Sequence, residues 1–222
     1  MDNLGYLIYG KETAMAIDGG AVEEMASFLS DQRLQLKYAA NTHGHGDHTM
    51  GTGALIEKTN ATYLDSIRLR KERMISLENE TINVYHTPGH TADSVSFYVS
   101  NVLITGDTLF NATVGNCFSG DLNGFYDSIK KLLALPDETI VFAGHDYVKE
   151  SLAFAKMVEP DNPALESYKN KYDPSHVWST LGDERKINPF LRFNEPTLIV
   201  YLEKKGLPVG TEYERWESVM AL

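Results

Sequence analysis

The run Thr42-His43-Gly44-His45-Gly46-Asp47-His48 puts three imidazoles and a carboxylate into six residues, beside two glycines that let the backbone turn without steric cost. A fold that accommodates it must hold these polar groups together at one place. Residues i and i+2 of an extended segment point the same way, so His43 and His45 converge on one position. Asp47 and His48 lie past the bend and face a second one. Imidazole nitrogen and carboxylate oxygen are the ligands of hydrolytic zinc and iron sites. The plainer alternative is a polar loop whose histidines only cap and solvate; the spacing fits metal ligation better than turn chemistry.

Three further segments place a ligand type just after an apolar run: Pro88-Gly89-His90-Thr91, Thr105-Gly106-Asp107-Thr108 and Gly144-His145-Asp146. A strand end holds such a side chain rigidly at a sheet edge. Five of the seven histidines (His43, His45, His48, His90, His145) fall in these segments. His86, in the run Ile82-Asn83-Val84-Tyr85-His86, reads as a structural histidine, and His176, in a polar stretch, as solvated surface. The lone cysteine, Cys117, excludes an internal disulfide and has no histidine beside it in sequence; it reads as a loop or core thiol. No Gly-x-Ser-x-Gly elbow is present, so a serine nucleophile is disfavoured.

Apolar runs at Tyr6 to Tyr9, Ala14 to Ile17, Lys37 to Ala40, Ser94 to Val99, Val102 to Thr105 and Thr139 to Phe142 predict strands, and Ser100-Asn101 predicts a hairpin. Helical spacing is clearest at Leu122, Phe125, Tyr126, Ile129, Leu132 and Leu133, closed by Pro136, and Val22 to Leu29 behaves alike. After about Glu150 the strands stop. Ser151 to Val158, Ala164 to Tyr172 and Thr197 to Lys205 predict helices, separated by prolines. The alternation predicts an α/β domain over residues 1–150 and a helical region over 151–222.

A net charge of −11 with no basic cluster argues against nucleic acid and anionic membranes. No apolar run approaches the roughly 18 residues a spanning helix needs. The start Met1-Asp2-Asn3-Leu4-Gly5 lacks the basic region of a signal peptide, so a cytoplasmic location is expected.

Taken together, these segments resemble the metallo-β-lactamase superfamily, and within it glyoxalase II, the hydroxyacylglutathione hydrolases. The carrying residues are Thr42 to His48, Thr87 to Thr91, Gly106-Asp107-Thr108-Leu109-Phe110 and Gly144-His145-Asp146-Tyr147. Glu159-Pro160-Asp161-Asn162 and Asn188-Pro189-Phe190-Leu191-Arg192 resemble that family's C-terminal part. The resemblance implies an αββα sandwich with a small helical C-terminal addition. It implies two transition-metal ions, zinc first, with iron or manganese as alternatives. His43, His45 and His90 would hold one ion, Asp47, His48 and His145 the other, and Asp107 would bridge them. The implied reaction is attack of a hydroxide shared by the two ions on a small-molecule thioester, with Asp47 also orienting it.

In that family a lysine and a tyrosine of the loop after Gly-Asp-Thr-Leu-Phe contact glutathione. Aligned on Gly115 and Gly120, the corresponding residues here are Asn116 and Phe118, whereas Tyr147 matches a remaining glutathione-contacting tyrosine or is a packed ring at a helix start. The chain end is acidic where fully equipped members are basic, Arg215 excepted. Glutathione recognition is therefore expected to be weak. Asn188 to Arg192 reads as a packing signature. The alternatives are a one-iron persulfide dioxygenase using His43, His90 and Asp107, a lactonase or other hydrolase on the same metals, and a non-enzymatic metal-binding module.

Overall fold

A computed structural model describes residues 3–222. Two twisted sheets lie face to face, with helices on both outer faces. The first sheet runs β1 (Tyr6–Tyr9), β2 (Thr13–Ile17), β3 (Gln35–Ala40), β4 (Thr62–Leu64), with α1 (Val22–Gln32), α2 (Gly46–Thr49) and α3 (Thr52–Thr59) in the connections. After α4 (Ser66–Glu72) come β5 (Met74–Leu77), β6 (Glu80–His86), β7 (Val95–Val99) and β8 (Val102–Gly106). The small hairpin of β9 (Leu109–Phe110) and β10 (Thr113–Val114) precedes α5 (Leu122–Leu132) and β11 (Ile140–Ala143). The remainder is α6 (Val148–Val158), α7 (Pro163–Lys171), β12 (Ser179–Thr180), α8 (Leu181–Ile187), α9 (Pro196–Lys204) and α10 (Glu212–Met220). The second sheet has the order β12-β11-β8-β7-β6-β5.

The strand pattern explains the layering. Side chains alternate across a strand. Met15 and Ile17 of β2 therefore enter the core between the sheets, with Ile82, Val84, Phe97 and Ile104 of the second sheet. Ala14 and Ala16 face outward, under Met25 and Leu29 of α1 and Leu55 of α3. On the other side, Leu103 and Val141 pack with Phe125, Ile129 and Leu132 of α5 and with Leu198, Leu202 and Trp216 of the C-terminal helices. Strands covered on both faces read as continuous apolar runs, which is why they stood out in the sequence.

The six predicted strands and the predicted helices are present, with ends shifted by at most three residues. Ser100 and Asn101 form the β7–β8 turn with φ of 45° and 71°, the left-handed pair that a two-residue hairpin requires. The strands do not stop at Glu150: β12 pairs antiparallel with β11, Ile140 opposite Thr180. Two residues are too short to leave a periodic trace. Helices α8 and α10 also lay outside the apolar-period reading. Both carry capping boxes, Thr180 with Asp183 and Thr211 with Glu214, a signal that sequence does contain. Among the described residues no helix is long and apolar enough to cross a membrane.

The site follows from strand ends. β8 and β11 run parallel, and β3 runs parallel to its neighbours in the other sheet. Asp107 follows β8 directly, His145 comes two residues after β11, and His43 three after β3.

Candidate metal centre

All seven side chains singled out as ligands meet at this edge. His43, His45, His90 and Asp107 form one group and Asp47, His48 and His145 another; within each, the ligand atoms lie within 4.8 Å of one another. Nδ1 of His45 is 3.0 Å from Nε2 of both His43 and His90. In the second group, Asp47 Oδ2 is 3.2 Å from His145 Nε2 and 3.7 Å from His48 Nε2. Asp107 stands between the groups. Its Oδ2 is 3.4 Å from His90 Nε2 and 3.7 Å from His145 Nε2, and its Oδ1 is 3.3 Å from His48 Nε2.

The orientation of each imidazole is set by what its other nitrogen touches. Asp18, φ 54°, is almost fully buried after β2 and accepts hydrogen bonds from Thr42 N–H (2.8 Å) and Thr42 O–H (2.7 Å). It also accepts from His48 Nδ1 at 2.8 Å, which turns Nε2 of His48 inward. Because the Thr42 hydroxyl donates to Asp18, it accepts from His43 Nδ1 at 3.1 Å, and His43 turns Nε2 inward in the same way. His90 donates Nδ1–H to the main-chain oxygen of Asn116 at 3.0 Å. Two glycines make room. A Cβ on Gly106, φ 52°, would stand 2.4 Å from Thr42 Oγ1, and one on Gly144 would stand 2.2 Å from Asp107 Oδ1.

Electrostatics agree with a cation site. Burial lowers the His43 imidazole to about 3 and lowers His90 as well, so both offer lone pairs at neutral pH. Burial opposes charge on His48, but the carboxylates of Asp107 and Asp18 beside it outweigh that and raise the imidazole to about 10. Burial likewise works against the Asp107 carboxylate, which the surrounding imidazoles nevertheless hold below its ordinary range. The second position thus demands positive charge. His48 Nε2 and Asp107 Oδ1 are buried and have no hydrogen-bond partner, as expected of atoms whose partner is a metal ion. Nε2 of His43 and Nε2 of His90 both lie 3.0 Å from His45 Nδ1, which has at most one proton to share between them, and a metal ion explains this too.

The predicted substrate contacts separate by role. Phe118 is 65% exposed, its ring 5.7 Å from His45 and 5.2 Å from His90, so it walls the first group. Tyr147, at the start of α6, is 44% exposed and stacks on His145 at 5.4 Å, beside the second group. Asn116 is exposed, and what it contributes to the centre is its carbonyl oxygen on His90 rather than its side chain. Cys117, half-buried, lies in the same loop, its sulfur 3.6 Å from Ser119 Oγ.

His86 lies outside both groups, with Nε2 3.0 Å from the Ala92 carbonyl, and His176 is exposed against the Phe142 ring. His86→Ala is accordingly expected to retain the metal content of the wild type; loss of a full equivalent on elemental analysis would show that the ligand set is wrong. Asp18 was absent from the sequence reading. Its signal was available, since Asp18-Gly19-Gly20 ends an apolar strand just as Gly106-Asp107 does. Asn188 to Arg192 proves to be packing: Asn188 is buried and donates to Thr113 O and to Glu184, and Arg192 pairs with Glu159.

Comparison with known proteins agrees with this geometry. The model of the metallo-beta-lactamase superfamily matches residues 3–64 and 68–145, and that of the hydroxyacylglutathione hydrolase C-terminus matches residues 146–220. The chain is 33% identical over 213 residues to a hydroxyacylglutathione hydrolase of Chromohalobacter salexigens, covering 88% of this chain and 84% of the relative. It is 32% identical over 225 residues to one of Pseudoalteromonas translucida, covering 94% and 88%. Among solved structures, ETHE1 from Myxococcus xanthus shares the fold, with a TM-score of 0.72 and 24% identity over 99% of this chain and 85% of that one.

Proposed function

Because the chain belongs to the metallo-β-lactamase superfamily and, within it, to the hydroxyacylglutathione hydrolases, we propose that it hydrolyses thioesters at a binuclear metal centre. The observation that carries this reading is Asp107, one carboxylate within 3.7 Å of ligand nitrogens of both groups. His43, His45 and His90 would hold one ion, Asp47, His48 and His145 the other, and Asp107 would belong to both. The nitrogen- and oxygen-rich donor set suits zinc, and iron or manganese next. Bound there, such ions lower the pKa of water from 15.7 toward about 7 and polarise a carbonyl. We assign residues 1–150 to the metal-bearing sandwich and 151–222 to a helical addition that braces it.

The residues do the rest. Asp47, half-exposed at the rim of the centre, orients the attacking water toward the thioester carbonyl. Asp18 and Thr42 keep His48 and His43 aimed inward throughout, so no ligand has to reorganise as charge develops. Phe118 and Tyr147 flank the opening and exclude water from either side of the bound acyl group. The leaving thiolate needs no general acid, because a thiol with a pKa near about 8.5 departs as the anion. A one-metal dioxygenase scheme would leave Asp47, His48 and His145 without a task, and their convergence supports the hydrolase instead.

Hydrolysis rates on S-D-lactoylglutathione, a coenzyme A thioester and a simple lactone, measured together with metal content, test the reading. Two metal equivalents per chain and thioester cleavage are expected; one iron and no hydrolysis would overturn it. Because Asn116 stands where the family has lysine, glutathione thioesters should bind weakly. A lost charge-assisted hydrogen bond is worth about 1.5–3 kcal/mol, so the KM should exceed that of a fully equipped relative by roughly 10- to 100-fold. Turnover should suffer less, since uniform binding is what is missing. Asn116→Lys leaves the main-chain bond to His90 in place and should lower that KM alone. A micromolar wild-type KM would show that this loop is aligned wrongly.

A further inference from the structure

The segment Asn3-Leu4-Gly5, ahead of β1, runs beside the loop of His145, where Leu4 N–H donates to Gly144 O at 2.8 Å. It brings the Asn3 amide onto His48, Nδ2 lying 2.7 Å from Nδ1. The same Nδ1 is 2.8 Å from Asp18 Oδ2. An ionised carboxylate only accepts, so Nδ1 carries a proton and gives it to Asp18. A protonated ring nitrogen does not accept, and an amide N–H aimed at it would set two donors against each other. On the far side of the amide, Asn3 Oδ1 is buried with no partner. A half-turn of the amide, whose oxygen and nitrogen are assigned from the surrounding hydrogen bonds, removes the conflict at Nδ1. The oxygen then faces Nδ1–H and accepts from it.

We infer that Asn3 is a positioning residue for the second metal position, its amide oxygen sharing the Nδ1 proton of His48 with Asp18. Two acceptors on one N–H hold the ring against rotation and fix the tautomer, so that Nε2 stays directed at Asp47 and His145. The segment Asn3-Leu4-Gly5 thereby becomes part of the metal centre, although it belongs to neither ligand motif. The inference rests on the binuclear reading above.

The two sides of the amide give the test. Asn3→Asp supplies an acceptor whichever oxygen faces His48, whereas Asn3→Ala supplies none. Zinc is titrated against a chromophoric chelator for wild type, both Asn3 variants and His48→Ala. Asn3→Ala should weaken the second equivalent by about tenfold or more, the scale for partners that orient metal ligands, and leave the first unchanged. Asn3→Asp should retain both. The inference fails if Asn3→Ala binds both equivalents like wild type, or if Asn3→Asp loses as much as Asn3→Ala, which would mean that Asn3 donates. It also fails if Asn3→Ala weakens both equivalents alike and lowers the melting temperature of the chelator-treated protein, the mark of a purely structural contact. Two tight equivalents in His48→Ala would overturn the metal assignment itself.

Discussion

Asp107→Ala is expected to abolish paired metal occupancy and to reduce thioester hydrolysis by at least about 10³-fold, a loss of about 4 kcal/mol of transition-state stabilisation. The size follows from position. Asp107 approaches ligand nitrogens of both groups, so its removal withdraws a ligand from each and the negative charge that lies between them. The variant should also fold, because Gly144 already leaves the carboxylate a space that an alanine methyl does not overfill. Elemental analysis and initial rates on one preparation check it. Two retained equivalents with near-normal turnover would remove Asp107 from the centre.

The largest effect on stability is expected in the C-terminal helices. Glu159, at the end of α6, is 4% exposed and receives both ends of the Arg192 guanidinium, at 2.6 and 2.9 Å, and the Thr197 hydroxyl at 2.6 Å. Burial works against its ionisation, but the Arg192 fork and Thr197 together hold the carboxyl below its usual range. Arg192→Leu leaves that carboxylate buried and unpaired, a loss of about 3–5 kcal/mol. For a chain of this size the melting temperature should fall by roughly 10 °C, at about 2–4 °C per kcal/mol. Removing both charges, in Glu159→Gln with Arg192→Leu, should recover most of it. The sign with pH follows from the lowered carboxyl. The contribution of the pair is complete above the ordinary carboxylate pKa and fades as pH falls through the folded value, so wild type and Arg192→Leu should converge in acid. A melting temperature for Arg192→Leu within a degree or two of wild type at pH 7 would show that the pair is solvated.

Much of this protein was legible in one dimension because its signals are local. The strands of the sandwich are covered on both faces and read as apolar runs. Asn101 could turn a hairpin because asparagine tolerates the left-handed backbone. Among the elements that escaped, β12 has too few residues to be periodic, and α8 and α10 carry their signal in caps rather than in apolar spacing. Arg192 and Glu159 were read as a family signature; that they form one ion pair is a fact of packing across 33 positions.

By itself the sequence determined which groups are available: seven ligand-type side chains in four short motifs, each timed to the end of a strand. Strand periodicity and glycine placement suffice for that, since both act between near neighbours. The tertiary structure alone decided how those groups are presented. Which nitrogen of His48 faces inward depends on Asp18, 30 positions earlier, and for His90 on a carbonyl 26 positions later. A tautomer is set by the partner of the other ring nitrogen, and that partner arrives only when distant segments meet, as the pairing of β2 with β3 brings Asp18 to His48.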